Sequence, residues 1–266
     1  MTERNPSDDH RPDPGPADPD SLVALVPIAW DPQNLELLEA VHPDVWGEPL
    51  RQVDQSSPAT FVQVGGCDAP IRLDVDEPIA ELAQMTATAK QPFTPTEAIQ
   101  LENHTAIWRF TMTDVSTAPS QRAHAFGRLM ATAVEAGAPG VFFPFCVQLH
   151  SPRLIKHLAV DLSQPQALIN LYVNAWNDDE WMVTRGMTVF GLPELETPVE
   201  GGLNNAYFRL MDVAAAMLVQ KDAYPDGSRL QLGPHLYTVE QGPQGPQDSM
   251  VPICGIYGRL TIAPAP

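Results

Sequence analysis

The stretch Leu168–Glu200, LINLYVNAWNDDEWMVTRGMTVFGLPELETPVE, decides how the rest of the chain is interpreted. From Ile169 to Trp176 apolar and polar residues alternate, which is the period of a half-buried β-strand. The loop Asn177-Asp178-Asp179-Glu180 has the side chains of a turn, and a second strand, 181–190, follows it. The stretch therefore predicts a long β-hairpin, followed by a capped loop that leads into a helix.

One face of this predicted hairpin is both aromatic and polar. A tight four-residue loop pairs Trp176 with Trp181, Asn174 with Val183, and Tyr172 with Arg185. Arg, Tyr and Trp are common energetic anchors of interfaces, so this face is a candidate binding surface. The same residues can instead stabilise a solvated hairpin, or form an interface between two halves of the protein. The binding hypothesis names Tyr172, Asn174, Trp176, Trp181 and Arg185.

The patterns outside the hairpin predict an α+β fold. Strands are predicted at 21–30, 60–64, 71–75 and 104–112, with a helix opened by Asp31-Pro32 and another at 78–90. After a linking helix come a strand at 141–149, a helix starting at Ser151-Pro152, the hairpin, and a helix at 204–221. Two closing strands are predicted at 230–239 and 252–262.

Both halves of this order are β-α-β-β-α-β, which is typical of ferredoxin-like units, and one extra strand follows near the end. The sequence therefore predicts two ferredoxin-like halves joined by a helix, with mainly antiparallel sheets. Residues 1–20 are rich in Pro and Asp and predict a disordered acidic tail, because they offer almost no apolar surface to bury. The first half is expected at 21–115 and the second at 116–266.

Composition excludes several classes of function. The formal net charge is −18, which disfavours nucleic acids and anionic membranes as partners. No apolar run reaches the length of a membrane span, and the first residues do not resemble a signal peptide. The cysteines, Cys67, Cys146 and Cys254, form no disulfide framework and no paired metal motif. A cytoplasmic, acidic protein without cofactor or metal is the expectation, and its oligomeric state stays open.

Three segments of the chain carry a family resemblance: Gly186–Glu196 with its Gly, Pro and Glu residues, 23–30 with Trp46-Gly47, and 101–106 with His104. They resemble segments of an uncharacterised bacterial family, domain of unknown function 4261. The resemblance covers about residues 21–262. It implies a compact bacterial α+β domain and brings no catalytic residues to this chain.

Candidate catalytic groups are few. Glu102 and His104 lie two residues apart at the start of a predicted strand, where they can act as an orienting group and a base. Glu194 and Glu196 can form a carboxylate pair, or can lie in water near the following helix. The acidic turn at 178–180 can hold a hard cation, although it lacks the spacing of a calcium loop.

We therefore expect a non-enzymatic binding or protein-interaction domain, whose partner is a protein or a small molecule. The absence of nucleotide-binding, serine-hydrolase and zinc-protease motifs favours this hypothesis. One alternative is a hydrolase-type enzyme that uses His104 with Glu102, or Glu194 with Glu196. The other is an immunity-type protein that neutralises a basic toxin through its acidic surface.

Overall fold

A computed structural model describes residues 21–30, 35–53, 60–178, 180–242 and 257–265. The predicted tail, the predicted helix start at Asp31-Pro32 and Cys254 lie outside these ranges. The described residues form a mixed α+β fold with two mostly antiparallel sheets, as the sequence predicts at the level of fold class. Within those ranges, no helix is both long and apolar enough to cross a bilayer.

The first sheet has seven strands in the order β2-β3-β4-β5-β1-β6-β7, and every pairing in it is antiparallel. Alternation of buried and more accessible residues, as at Ile71 and Leu73 of β4, places one face on the core. Its strands are β1 Leu22–Ile28, β2 Arg51–Val53, β3 Thr60–Gln63, β4 Ile71–Asp76, β5 Ala106–Met112, β6 Val141–Phe143 and β7 Gln148–His150.

The second sheet has six strands in the order β11-β12-β13-β10-β9-β8. Its one parallel pairing among the described residues joins β10 to β13. The strand β8, which starts at Asn174, forms one edge of this sheet. The strands are β8 Asn174–Asp178, β9 Trp181–Arg185, β10 Glu194–Pro198, β11 Arg229–Leu232, β12 His235–Gln241 and β13 Arg259–Pro264.

Six α-helices are described, and the longest two form much of the core. The helices are α1 Glu36–Trp46, α2 Pro95–Glu102, α3 Pro119–Glu135, α4 Pro152–Ala159, α5 Pro165–Tyr172 and α6 Leu203–Gln220. 3-10 segments lie at Ala80–Thr88, where the sequence predicts a helix at 78–90, and at Pro144–Cys146 and Met187–Phe190. Buried residues run almost without interruption from Arg122 to Val134 of α3, so this helix is enclosed by its neighbours.

The ferredoxin-like arrangement is not confirmed. In the first sheet β5 lies between β4 and β1, and no parallel pair occurs among its described strands. The strands β6 and β7 follow the predicted boundary at residue 115, yet they extend the first sheet beside β1. The repeated order of elements therefore does not produce two copies of one topology.

Three predicted strands are corrected. The predicted return strand 181–190 ends at Arg185, and a 3-10 turn follows it at Met187–Phe190. Residues 169–172 belong to α5 rather than to the hairpin, because Pro165 opens a helix whose residues are buried on nearly every side. A segment buried all round has no polar face, so a period of two fits it as well as a period of 3.6. The predicted strand at 141–149 is interrupted by a 3-10 turn at Pro144, where the ring removes a ladder donor.

Candidate binding site on the β8–β9 hairpin

The observed hairpin has the predicted face but a different register. Asn174 pairs with Arg185, Trp176 with Val183, and Asp178 with Trp181. The strands extend to Asp178 and Trp181, so two residues connect them instead of the predicted four. The shift is two residues, which preserves the side-chain alternation. Asn174, Trp176, Trp181 and Arg185 therefore share one face, as predicted, and Asp178 joins them.

Tyr172 is the one predicted binding residue that the structure removes from this face. It ends α5 and is fully buried, and its hydroxyl donates to the carbonyl oxygen of Ala123 at 2.7 Å. Its ring contacts those of Phe143 and Phe190, with centroids 5.3 and 6.1 Å away. Burial raises the pKa of the phenol well above its usual value. Tyr172 is a core residue.

The two tryptophans are partly accessible. Trp176 and Trp181 are half-buried, whereas Val183, which lies between them on the same face, is fully buried. Neither indole is among the side chains that pack against the buried core of the described residues. Val183 is therefore the buried centre of the face, and the two indoles lie beside it with part of their surface accessible.

Arg185 lies at one end of this face, opposite Asn174. Its side chain is half-buried, and its Nη1 atom is buried without a hydrogen-bond partner among the described residues. Burial lowers the pKa of Arg185, and the nearby Cys146 and Glu194 partly oppose this effect. Asn174 donates through Nδ2 to the carbonyl oxygen of Cys146 at 3.3 Å, which fixes this end of β8.

A second cation, Lys90, lies close to this end of the hairpin. Its Nζ donates to the carbonyl oxygens of Asn170 and Val173, at 3.2 and 2.7 Å, and so caps the last turn of α5. Burial lowers the pKa of Lys90 to about 8. The neighbouring Cys146 is fully buried, which raises the pKa of its thiol to about 12 and leaves it unreactive. The sequence offers no pattern that identifies Lys90.

Asp178 lies at the opposite end of the face. Its Oδ2 atom is buried and lacks a hydrogen-bond partner among the described residues. Among all the residues that the structure describes, no group of three or more His, Cys, Asp or Glu side chains is placed to hold a metal ion. The hairpin face thus carries a cation at one end, a carboxylate at the other, and two indoles between them.

The alternative that Glu194 and Glu196 lie in water is wrong. Both are buried in β10. Glu194 accepts hydrogen bonds from the backbone N–H groups of Gly186 and Met187, at 2.7 and 3.1 Å, and from the hydroxyl of Thr184 at 2.8 Å. Its burial raises its pKa, and these three bonds oppose the rise.

Glu196 has different partners from Glu194. One of its oxygens lies 2.6 Å from Nη1 of Arg259, and the other accepts from the hydroxyl of Thr261, also at 2.6 Å. The two carboxylates are thus committed to separate sets of donors from their own chain. Neither is placed to act as an acid or a nucleophile on a substrate.

His104 is also committed to its own backbone. Its Nδ1–H donates to the carbonyl oxygen of Leu101 at 2.5 Å, and its Nε2 accepts from the N–H of Ile79 at 2.9 Å. Its side chain is buried, whereas Glu102 is exposed at the end of α2. With both ring nitrogens bonded, His104 has no nitrogen left to accept a substrate proton.

A cavity of about 470 Å³ lies elsewhere, near the end of α6. Lys221, Asp222, Gln241, Tyr257 and Arg259 contribute to its lining. Its described lining contains none of the residues that the sequence offers as catalytic candidates, Glu102, His104, Glu194 and Glu196.

Comparisons of the chain with protein-family models, curated protein sequences and solved structures found no match. The resemblance to the family of domain of unknown function 4261 therefore stays a prediction.

Proposed function

We propose that this protein is a non-enzymatic binding domain, and that the β8–β9 hairpin face is its interaction surface. The observation that carries the proposal is the combination of two half-buried indoles with an Arg185 guanidinium that has an unmet N–H. An unsatisfied buried donor costs free energy. Because the Arg185 side chain as a whole is only half-buried, a ligand or partner that binds this face can complete its hydrogen bonds.

The surroundings support binding rather than catalysis. The candidate acids and bases of the sequence are either exposed singly, as Glu102 is, or bonded to their own chain. The partner is a protein or a small molecule with an aromatic or apolar part for the indoles and a hydrogen-bond acceptor for Arg185. A cytoplasmic location forms part of the proposal, because Cys67 and Cys146 are free thiols.

The test is quantitative affinity capture from the native lysate with the full chain as bait. We expect Trp181→Ala and Arg185→Met each to lose the captured partner. Two matched controls remove an exposed ring and an exposed cation elsewhere, Phe208→Ala on α6 and Arg153→Met on α4, and should capture as the wild type does. Equal capture by all five baits would refute the hairpin face as the interaction surface.

A second candidate is binding to a basic protein, such as a toxin. The net charge of −18 favours it, because complementary charge accelerates association and selects partners. The two candidates differ in their response to salt. Capture of a basic partner through the general acidic surface should decrease strongly as ionic strength rises and should be insensitive to Trp181→Ala.

A further inference from the structure

The outer edge of β8 has no strand beside it among the described residues. The two residues that flank the hairpin loop are Asp178 and Trp181. Such residues normally exchange backbone hydrogen bonds with each other when the loop has two residues. Hydrogen-bonded pairs then alternate along the hairpin, so the backbone groups of Ala175 and Asn177 point away from β9. These two residues present the donors and acceptors of an open edge.

The side chains along this edge are complementary to themselves. Asn174 and Arg185 form the cationic end of the face, and Asp178 forms the anionic end, about 13 Å away along the strand. If a second β8 runs antiparallel and is centred on Trp176, its Asp178 lies opposite Asn174. The same register places Ala175 opposite Asn177 of the second copy, so that the outward backbone groups of both strands meet.

We propose that two copies of this chain pair through β8, antiparallel and about a twofold axis at Trp176. In this arrangement the carboxylate of Asp178 in one copy reaches the Arg185 guanidinium of the other. The Cα atoms of this pair are two strand spacings apart, about 10 Å, which is within reach of an extended arginine and an aspartate. Nη1 of Arg185 and Oδ2 of Asp178 lack a hydrogen-bond partner within their own described chain. A twofold axis forms the pair twice, so each of the four side chains gains one partner.

The pairing also deepens the proposed function, on which it rests. It joins two six-stranded sheets into one and brings two hairpin faces together, so that a partner meets four tryptophans instead of two. The Arg185 guanidinium has five N–H donors, so it can bond Asp178 of the other copy and still donate to the acceptor of the partner. Trp181 makes no contact between the copies and is left for the partner. Each copy therefore contributes residues to a single binding surface.

Charge reversal with rescue tests the proposal. Arg185→Asp places two carboxylates against each other at both ends of the interface, and Asp178→Arg places two guanidinium groups there. Sedimentation equilibrium of the full chain, up to about 1 mM protein, should show a wild-type dimer and at least tenfold weaker association for each single variant. An equimolar mixture of the two variants restores both attractive pairs and should form a heterodimer with an affinity close to that of the wild type. The double variant R185D/D178R should self-associate for the same reason.

A wild-type protein that stays monomeric over this range would overturn the proposal. So would single variants that dimerise like the wild type, or a mixture and a double variant that stay monomeric. Phe208→Ala, on the exposed side of α6, is the control and should leave the dimer unchanged. A monomer whose lysate capture still depends on Trp181 would overturn the pairing while leaving the proposed function intact. A dimer with the expected charge rescue, together with lysate capture that Trp181→Ala does not change, would support the pairing and overturn the hairpin face as the interaction surface.

Discussion

Two sets of charged residues in the six-stranded sheet differ in whether their charged groups are bonded to oppositely charged or polar side chains of their own chain. The inner set, Glu194, Glu196 and Arg259, is buried and bonded to neighbouring strands. The hairpin set, Asp178 on the edge strand β8 and Arg185 on the adjacent β9, has buried atoms without a hydrogen-bond partner among the described residues. A satisfied buried network stabilises and specifies a fold, whereas an unsatisfied one at an edge is available to something outside the chain.

The inner set should give the largest effect on stability. Glu196→Ala leaves the Arg259 guanidinium buried without its carboxylate, and we expect the free energy of unfolding to fall by about 3–5 kcal/mol. Denaturant unfolding of the purified variant measures this. Glu135→Ala, which removes an exposed pair with Lys156, is the control and should cost no more than about 1 kcal/mol. If the two variants lose equal stability, the inner network is not structural.

The second-largest loss of stability should come from substituting Gly186, whose N–H donates to Glu194. Gly186 has φ = 120°, and a Cβ there would lie 2.0 Å from the carbonyl oxygen of Tyr172. We expect Gly186→Ala to cost about 3 kcal/mol or more, because backbone strain adds to a backbone clash. Gly227→Ala, which also has positive φ but open space around it, should cost only about 1–2 kcal/mol. Thermal denaturation of both variants measures the difference. Equal losses of stability would show that the contact with the Tyr172 carbonyl oxygen is not the cause.

Acid should destabilise the protein through buried histidines that stay neutral in the folded state. His42 is fully buried, and its Nδ1 lies 2.7 Å from the hydroxyl of Thr132. Burial, and to a lesser extent Arg128, lowers its pKa to about 4, against about 6.5 in the unfolded chain. Between these values only the unfolded state takes up a proton, so the free energy of unfolding should fall as pH falls, by about 3 kcal/mol from this residue.

Unfolding at pH 7, 6, 5 and 4 measures this dependence. His42→Gln cannot titrate, so its stability should fall less steeply than that of the wild type over the same range. Some dependence should remain in the variant, because burial also lowers the pKa of His150, to about 3. Identical slopes for the two proteins would show that His42 is not held neutral by the fold.

The sequence predicts strands well where alternation is unambiguous. The strands β1, β3 and β5 form within the segments expected for them, and β4 extends one residue beyond its expected end. The alternation of 174–185 correctly places both tryptophans on one face. The predicted hairpin loop of four residues is wrong, because Asn177 and Asp178 suit a turn and a strand end equally well. The α5 helix was missed because complete burial removes its polar face.

The sequence predicts only part of the candidate site. Its four hairpin residues follow from a period of two, which survives a register error of two residues. The environment of each charge does not follow from local sequence. Glu194 and Glu196 carry the same side chain as exposed Glu102, yet they are buried, because β9 and β13, which are distant in sequence from each other, pair on either side of β10. Lys90 reaches the end of α5 through an equally long-range contact.

The smallest effect on stability should come from Arg185 itself, and it separates the two sets most clearly. Arg185→Met removes a half-buried charge that makes no hydrogen bond to the described residues, so the free energy of unfolding should change by no more than about 1 kcal/mol. Arg209→Met, in contrast, removes a guanidinium that donates to the Thr197 hydroxyl at 2.6 Å and stacks over the ring of Tyr237. That change should cost about 2–4 kcal/mol. Denaturant unfolding of both variants at low protein concentration, where self-association does not contribute, makes the comparison. If Arg185→Met costs as much as Arg209→Met, Arg185 is a structural residue of the sheet, and the hairpin face loses the charge on which its role in binding depends.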